Sequence, residues 1–196
     1  MRNAGTRALV MGCFWALATS VAQAATAELA LDNDRSSLAF TTTKNGTVTE
    51  VHNFGQLDGS VTGEGIATVA VDLVSVATGI DLRDERMREF LFQTTDFGKA
   101  VFTADVSNIL LSVKKSSSKT YEIPGKLSLH GKTQNVTANV LVTRGKKMWV
   151  ISTTQPILIK ADDFELGAGV EKLRELAGLT TISKLVPVSF VLTFTE

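Results

Sequence analysis

The chain has 196 residues with 20 basic and 20 acidic side chains, so it has the length of one domain and no net charge. Phosphate backbones are held by clustered positive charge, and this balance argues against a nucleic-acid partner. A hydrophobic fraction of 44%, with Gly 15 against Pro 3, suffices for a sizeable core and suits many turns between short elements.

Arg2 and Arg7 precede an uncharged apolar run from Ala8 to Val21, which ends at Ala22-Gln23-Ala24. Basic region, short apolar region and A-x-A site in that order read as a secretory signal peptide over 1–24. That reading predicts export to the periplasm and a mature domain over 25–196. The run is about 14 residues, short of the roughly 20 that a spanning helix needs, so no stable membrane insertion is expected after cleavage. Cys13 is the single cysteine and lies inside this segment, so the mature chain is expected to have no disulfide, thiolate or Cys-ligated metal.

From Ser37 onward the dominant pattern is period two, which sends alternate side chains of a strand to opposite faces. Leu38, Phe40 and Thr42 share one face, as do Val69, Val71 and Leu73, and then Phe102, Ala104 and Val106. Leu127 and Leu129 follow, then Val136, Ala138, Val140 and Val142, and last Val188, Phe190, Leu192 and Phe194. Turn signals separate the runs at Lys44-Asn45-Gly46, Asp58-Gly59, Thr62 to Gly65, Lys115 to Lys119, Pro124-Gly125, His130-Gly131-Lys132 and Arg144-Gly145-Lys146. Short strands at this spacing predict an all-β antiparallel barrel or sandwich.

Two segments depart from the pattern. Arg83 to Phe92 is dense in charge and reads as a short helix or irregular excursion. Gly169 to Leu179 places Val170, Leu173, Leu176 and Ala177 at helical spacing and meets a stop at Gly178. Both are expected to plug or cover an otherwise β architecture.

Catalytic signals are absent from the sequence. His52 and His130 stand apart with no local ligand pair, so no metal is expected. No G-x-S-x-G elbow occurs, and Gly59 to Gly65 lacks the Lys-Ser/Thr of a phosphate loop. Asp162, Asp163 and Glu165 read as a solvated turn, and His130 as an exposed hairpin residue. Arg83, Arg86 and Arg88 lie close together beside Phe90, Leu91 and Phe92. Guanidinium groups bind phosphate bidentately, which makes these three a candidate headgroup site against the simpler reading of pairing with Asp84 and Glu89.

An ordered set of segments is similar to the YceI-like family of periplasmic lipid-binding proteins. Leu31-Asp32 with Ser37 and Phe40 opens the set, followed by Phe54-Gly55, Leu57-Asp58-Gly59 and Ala70-Val71-Asp72-Leu73. Ser75-Val76, Thr78 and Arg83-Asp84 with Met87-Arg88 come next, then Phe97 and Phe102, and Leu127 to Thr133 with Val136. The family's K-H pair near the first strand reads Lys44-Asn45 here, with His52 as a partial stand-in. The resemblance implies an extended lipocalin-like β-barrel, with one or two short helices, that holds a polyisoprenoid or similar amphiphile.

The expected lining is Phe40, Val69, Val71, Phe102, Leu127, Leu129, Phe190, Leu192 and Phe194. The expected function is non-catalytic binding, transport or sequestration of a polyisoprenoid, isoprenoid quinone or fatty-acyl lipid. No cofactor is called for beyond such a bound lipid, and a homodimer is left open. The alternative is an envelope-stress interaction module whose barrel is filled by its own side chains, since a small barrel can be either packed or hollow.

Overall fold

The computed structural model describes residues 27–196, and the expected signal peptide lies outside them. Twelve strands run in chain order: β1 Ala27–Leu31, β2 Ser37–Lys44, β3 Val48–Phe54, β4 Leu57–Thr62, β5 Ile66–Asp72, β6 Val76–Ala77, β7 Lys99–Asp105, β8 Ser117–Leu129, β9 Lys132–Arg144, β10 Met148–Thr153, β11 Ile157–Lys160 and β12 Leu185–Thr195. Helix α1 spans Asp81–Arg86 and continues as a π-helical stretch over Met87–Phe92. Helix α2 spans Ser107–Ser112 and α3 spans Gly167–Leu176.

Strands β1, β4, β5, β7, β8, β9, β10 and β12 pair antiparallel in that order. β1 returns onto β12 through Ala30–Thr195 and Leu31–Phe194, which closes the ring. Closure satisfies the backbone groups that an open edge would leave unpaired. The first half of β12 has other neighbours: Val188 to Val191 pair with β2, and Leu185 to Val188 with β11. β2 then carries β3, and β3 carries β6, as an extension of the wall at one end.

Most of the expected turns form where the residues tolerate a left-handed backbone. Leu129 pairs with Lys132 across a two-residue hairpin of His130 (φ 50) and Gly131 (φ 72). Two consecutive positive-φ residues match the twist of the flanking strands. Asn45 (φ 50) and Gly46 (φ 74) turn β2 into β3 in a similar way.

Two expected turns are instead strand interiors. Asp58-Gly59 lies within β4 and Pro124-Gly125 within β8. At Gly125 a Cβ would sit 2.3 Å from Phe102 Cζ, so the missing side chain is what lets the Phe102 ring cross the strand. At Gly59 a Cβ would sit 2.8 Å from the Thr68 carbonyl oxygen. Glycine inside a strand marks such close approaches as readily as it marks a bend. Pro124 is tolerated because β7 pairs with β8 only through Lys126, Leu127 and Ser128, so no β7 residue requires the missing N–H.

The helices sit at the barrel's two ends. α1 with its π-helical continuation packs on α3 at one end, and α3 stops at Gly178 (φ 62), as its sequence predicts. α2 covers the other end. Its segment, Ser-Asn-Ile-Leu-Leu-Ser, is too short to show a helical period, and the sequence pattern does not announce it.

Candidate functional site

The barrel is hollow. Its inward side chains enclose a cavity of about 610 Å³, within the roughly 300–1,000 Å³ of small-molecule pockets. Phe40, Val69, Val71, Phe102, Leu127, Leu129, Phe190, Leu192 and Phe194 all lie on its wall. The wall is built by strand alternation: Val191 on β12 is 41% exposed, while its neighbours Leu192 and Phe190 turn inward.

Different residues finish the two ends of the cavity. At the α2 end, Ile109 and Leu110 reach the lining together with Trp149. The Arg144 guanidinium lies 4.6 Å from the Trp149 ring centroid and donates to the Val113 carbonyl at 3.1 Å, tying α2's exit to the barrel rim. At the other end lie the exposed members of the lining, Ile80, Leu82 and Ala177. These belong to the start of α1 and the end of α3, so the mouth opens between those two helices.

A gradient of polarity leads inward from the mouth. On β2 the inward positions from the turn are Lys44, Thr42, Phe40 and Leu38, and on β3 they are Glu50, His52 and Phe54. The register sets Thr42 opposite Glu50 and Phe40 opposite His52. Charged groups therefore stand at the rim, a hydroxyl and an imidazole one step below, and aromatic rings deeper. Phe40 to Phe54 and Phe54 to Phe92 continue this path with ring centroids 5.2 and 5.9 Å apart.

Glu50 organises the rim. Its Oε2 accepts from Lys44 Nζ and from Arg83 Nη1 at 2.9 Å, and His52 Nε2 lies 3.9 Å away. The bonded Lys44 ammonium, with Arg83 beside it, holds the Glu50 carboxyl below its usual value, although partial desolvation acts the other way. His52 is buried, and its Nε2 lies 3.1 Å from Thr42 Oγ1. Burial lowers the His52 pKa, and the positive charges of Arg83 and Lys44 add to this against the opposing pull of Glu50. The ring is therefore neutral at pH 7.

The three candidate arginines separate. Arg83 and Arg86 line the cavity near its mouth, whereas Arg88 lies outside the lining and donates to the Val74 carbonyl at 3.4 Å. Arg83 is fixed from two sides, with Nε donating to Thr78 Oγ1 at 2.8 Å and Nη2 to the Thr78 carbonyl at 2.6 Å. Arg86 donates to the Leu176 carbonyl at 3.2 Å, which links α1 to the end of α3 across the mouth. Spacing of three along a helix brings side chains together only on one face, and Arg88 falls off it.

Glu50 is a functional candidate that the sequence did not single out, and Lys44 and His52 entered only through their match to the family's K-H pair. Their signal lies in the period-two positions that lead from Phe40 and Phe54 toward the Asn45-Gly46 turn. His130 also differs from its expected role. It is partly buried, 4.4 Å from the Phe97 ring, with Nδ1 3.2 Å from the Phe164 carbonyl and Nε2 3.1 Å from Gln93 Oε1. It pins the hairpin tip to two helical segments. Asp162 and Glu165 are exposed and pair with Lys184 and Lys132 respectively.

A closed antiparallel barrel around an apolar hollow with one polar mouth defines a lipocalin-like architecture. The chain belongs to the YceI-like family: the family model for the YceI-like domain matches residues 29–194. Among solved structures it is similar to a polyisoprenoid binding domain from Saccharophagus degradans implicated in plant cell wall breakdown. That match has 35% identity and a TM-score of 0.84, over 87% of this chain and 99% of that one. Burkholderia cenocepacia BcnA shares the fold at 19% identity and TM-score 0.65, over 83% of this chain and 98% of that one. The Campylobacter jejuni YCEI protein shares it at 16% identity and TM-score 0.52, over 74% of this chain and 84% of that one. No curated protein matches the chain.

Proposed function

We propose that the protein binds one long-chain amphiphile, a polyisoprenoid, isoprenoid quinone or fatty-acyl lipid, and carries or sequesters it in the periplasm without chemical change. The observation that carries this reading is the continuous apolar cavity, open between α1 and α3, whose walls become polar only at the mouth. Each buried CH₂ contributes roughly 0.8 kcal/mol. A ten-carbon tail thus supplies a gross gain of about 8 kcal/mol, of the same order as the roughly 4–15 kcal/mol that association costs, and each further isoprene unit adds to the surplus without any charged anchor. The similarity to a polyisoprenoid binding domain supports the same ligand class. The interaction-module alternative requires a barrel filled by its own side chains, and the hollow speaks against it.

Native mass spectrometry of the mature protein from the periplasm, followed by solvent extraction, tests the proposal. A stoichiometric prenyl or acyl lipid is the expected result. A ligand-free barrel that also fails to take up added prenyl and acyl chains would overturn it.

A further inference from the structure

The charges at the mouth bear on which headgroup the cavity accepts, a question that rests on reading the cavity as the site of a tailed amphiphile. We infer that Glu50 is a specificity determinant that favours uncharged, hydrogen-bonding headgroups, such as an alcohol, quinone or amide, over prenyl or acyl phosphates.

The cations that face the throat are already neutralised. Lys44 and Arg83 both end on the same Glu50 oxygen, and their side chains are only 21% and 24% exposed. Phosphate recognition by arginine uses two parallel N–H donors from one edge of the guanidinium. On Arg83, the edge that carries Nε and Nη2 is occupied by Thr78, and Nη1 is occupied by Glu50. Thr78 is in turn held by the buried Asp84 carboxylate, which accepts from both its backbone N–H and its hydroxyl. Lys44, Arg83, Glu50 and Asp84 thus form a rigid group whose charges cancel.

A phosphate at this level would have to displace Glu50 or stand beside it. Arg86 has no carboxylate within ion-pair distance among the described residues, but it is one guanidinium tied to the Leu176 carbonyl at the outer rim. Below Glu50 the polar groups are Thr42 and His52, a hydroxyl and a neutral imidazole. They recognise a carbonyl or hydroxyl by hydrogen bonding and offer no compensating charge to a phosphate. The arrangement is a hydrogen-bonding collar around the entrance to an apolar well, with a carboxylate on its outer side that already engages the two cations a phosphate would need.

The test uses two ligands with one tail, geranylgeraniol and geranylgeranyl diphosphate, which compete for N-phenyl-1-naphthylamine bound to the full mature protein. The alcohol is expected to displace the probe at a concentration at least tenfold below that of the diphosphate. In Glu50→Gln the gap is expected to narrow at least tenfold through tighter diphosphate binding. Equal or tighter diphosphate binding by the wild type overturns the inference and leaves the cavity reading standing. So does an unchanged ratio in a Glu50→Gln variant with native circular dichroism. Failure of both ligands to displace or replace the probe overturns the cavity reading itself, and the headgroup inference with it. The wild-type comparison requires no variant, so it can overturn the inference even where Glu50→Gln does not fold.

Discussion

Phe40 and His52 stand directly opposite one another on β2 and β3, with ring centroids 5.3 Å apart and planes tilted by 57°. An imidazole packed against a phenyl ring on a cavity wall is easier to keep neutral than charged, and stability therefore depends on pH. The His52 pKa is depressed by burial from its ordinary 6.5, so the unfolded chain binds the extra proton first as pH falls. The contribution is fully present above about pH 6.5 and is progressively lost as pH falls below it. Glu50, also depressed, adds a second loss in the same direction below about pH 4.5. Thermal melts by circular dichroism between pH 7 and pH 5 are expected to show a falling midpoint, and His52→Gln to flatten that decline.

Gly125 is expected to tolerate no side chain. With a Cβ 2.3 Å from Phe102 Cζ, Gly125→Ala forces the ring or the strand to move. Overpacking of this kind costs about 1–3 kcal/mol. Urea denaturation is expected to show a lower midpoint for Gly125→Ala. Because part of the cost arises at the Phe102 ring and the rest at the Thr103 carbonyl oxygen, 2.7 Å from that Cβ, the substitution is expected to cost less, though not nothing, in a Phe102→Leu background.

Asn45 holds the segment beside the mouth. Its Oδ1 accepts from the Thr180 N–H at 3.0 Å and the Thr180 hydroxyl at 2.7 Å, while its own backbone is left-handed. Asn45→Ala removes these acceptors and puts a less suitable residue at φ 50, for a loss of about 1–3 kcal/mol. Hydrogen exchange is expected to speed up at Thr180 and Thr181, with the β8–β9 hairpin amides protected as before.

Ala138 offers a way to fill the hollow. It is 3% exposed, lines the cavity and sits across from Ile123 on the long β8–β9 hairpin. Ala138→Phe directs a ring into the space a tail would use, and uptake of a prenyl chain is expected to fall at least tenfold while the far-ultraviolet spectrum is unchanged. Undiminished uptake by the folded variant would mean that the chain binds elsewhere.

Much of the architecture was legible in the chain. Period-two runs such as Val188-Phe190-Leu192-Phe194 marked which residues share a face, and His130-Gly131 and Asn45-Gly46 named two hairpin tips. These features depend on backbone sterics and side-chain alternation within a few residues. Gly59 and Gly125 misled for the same local reason: a glycine's neighbours in sequence do not reveal the Thr68 carbonyl or the Phe102 ring that crosses it in space.

The sequence by itself therefore determined the fold class, the alternation that makes an apolar wall, and the positions of the two end-capping helices near Arg83 and Gly178. Only the tertiary structure decided that the wall surrounds a hollow, because residue types fix how much apolar surface there is but not the ring size at which it closes. Tertiary structure alone also brought Arg83 to Glu50, 33 residues earlier in the chain, and left Arg88 outside. Such contacts depend on the register of paired strands and on where a helix docks, and both are long-range packing outcomes that local periodicity does not encode.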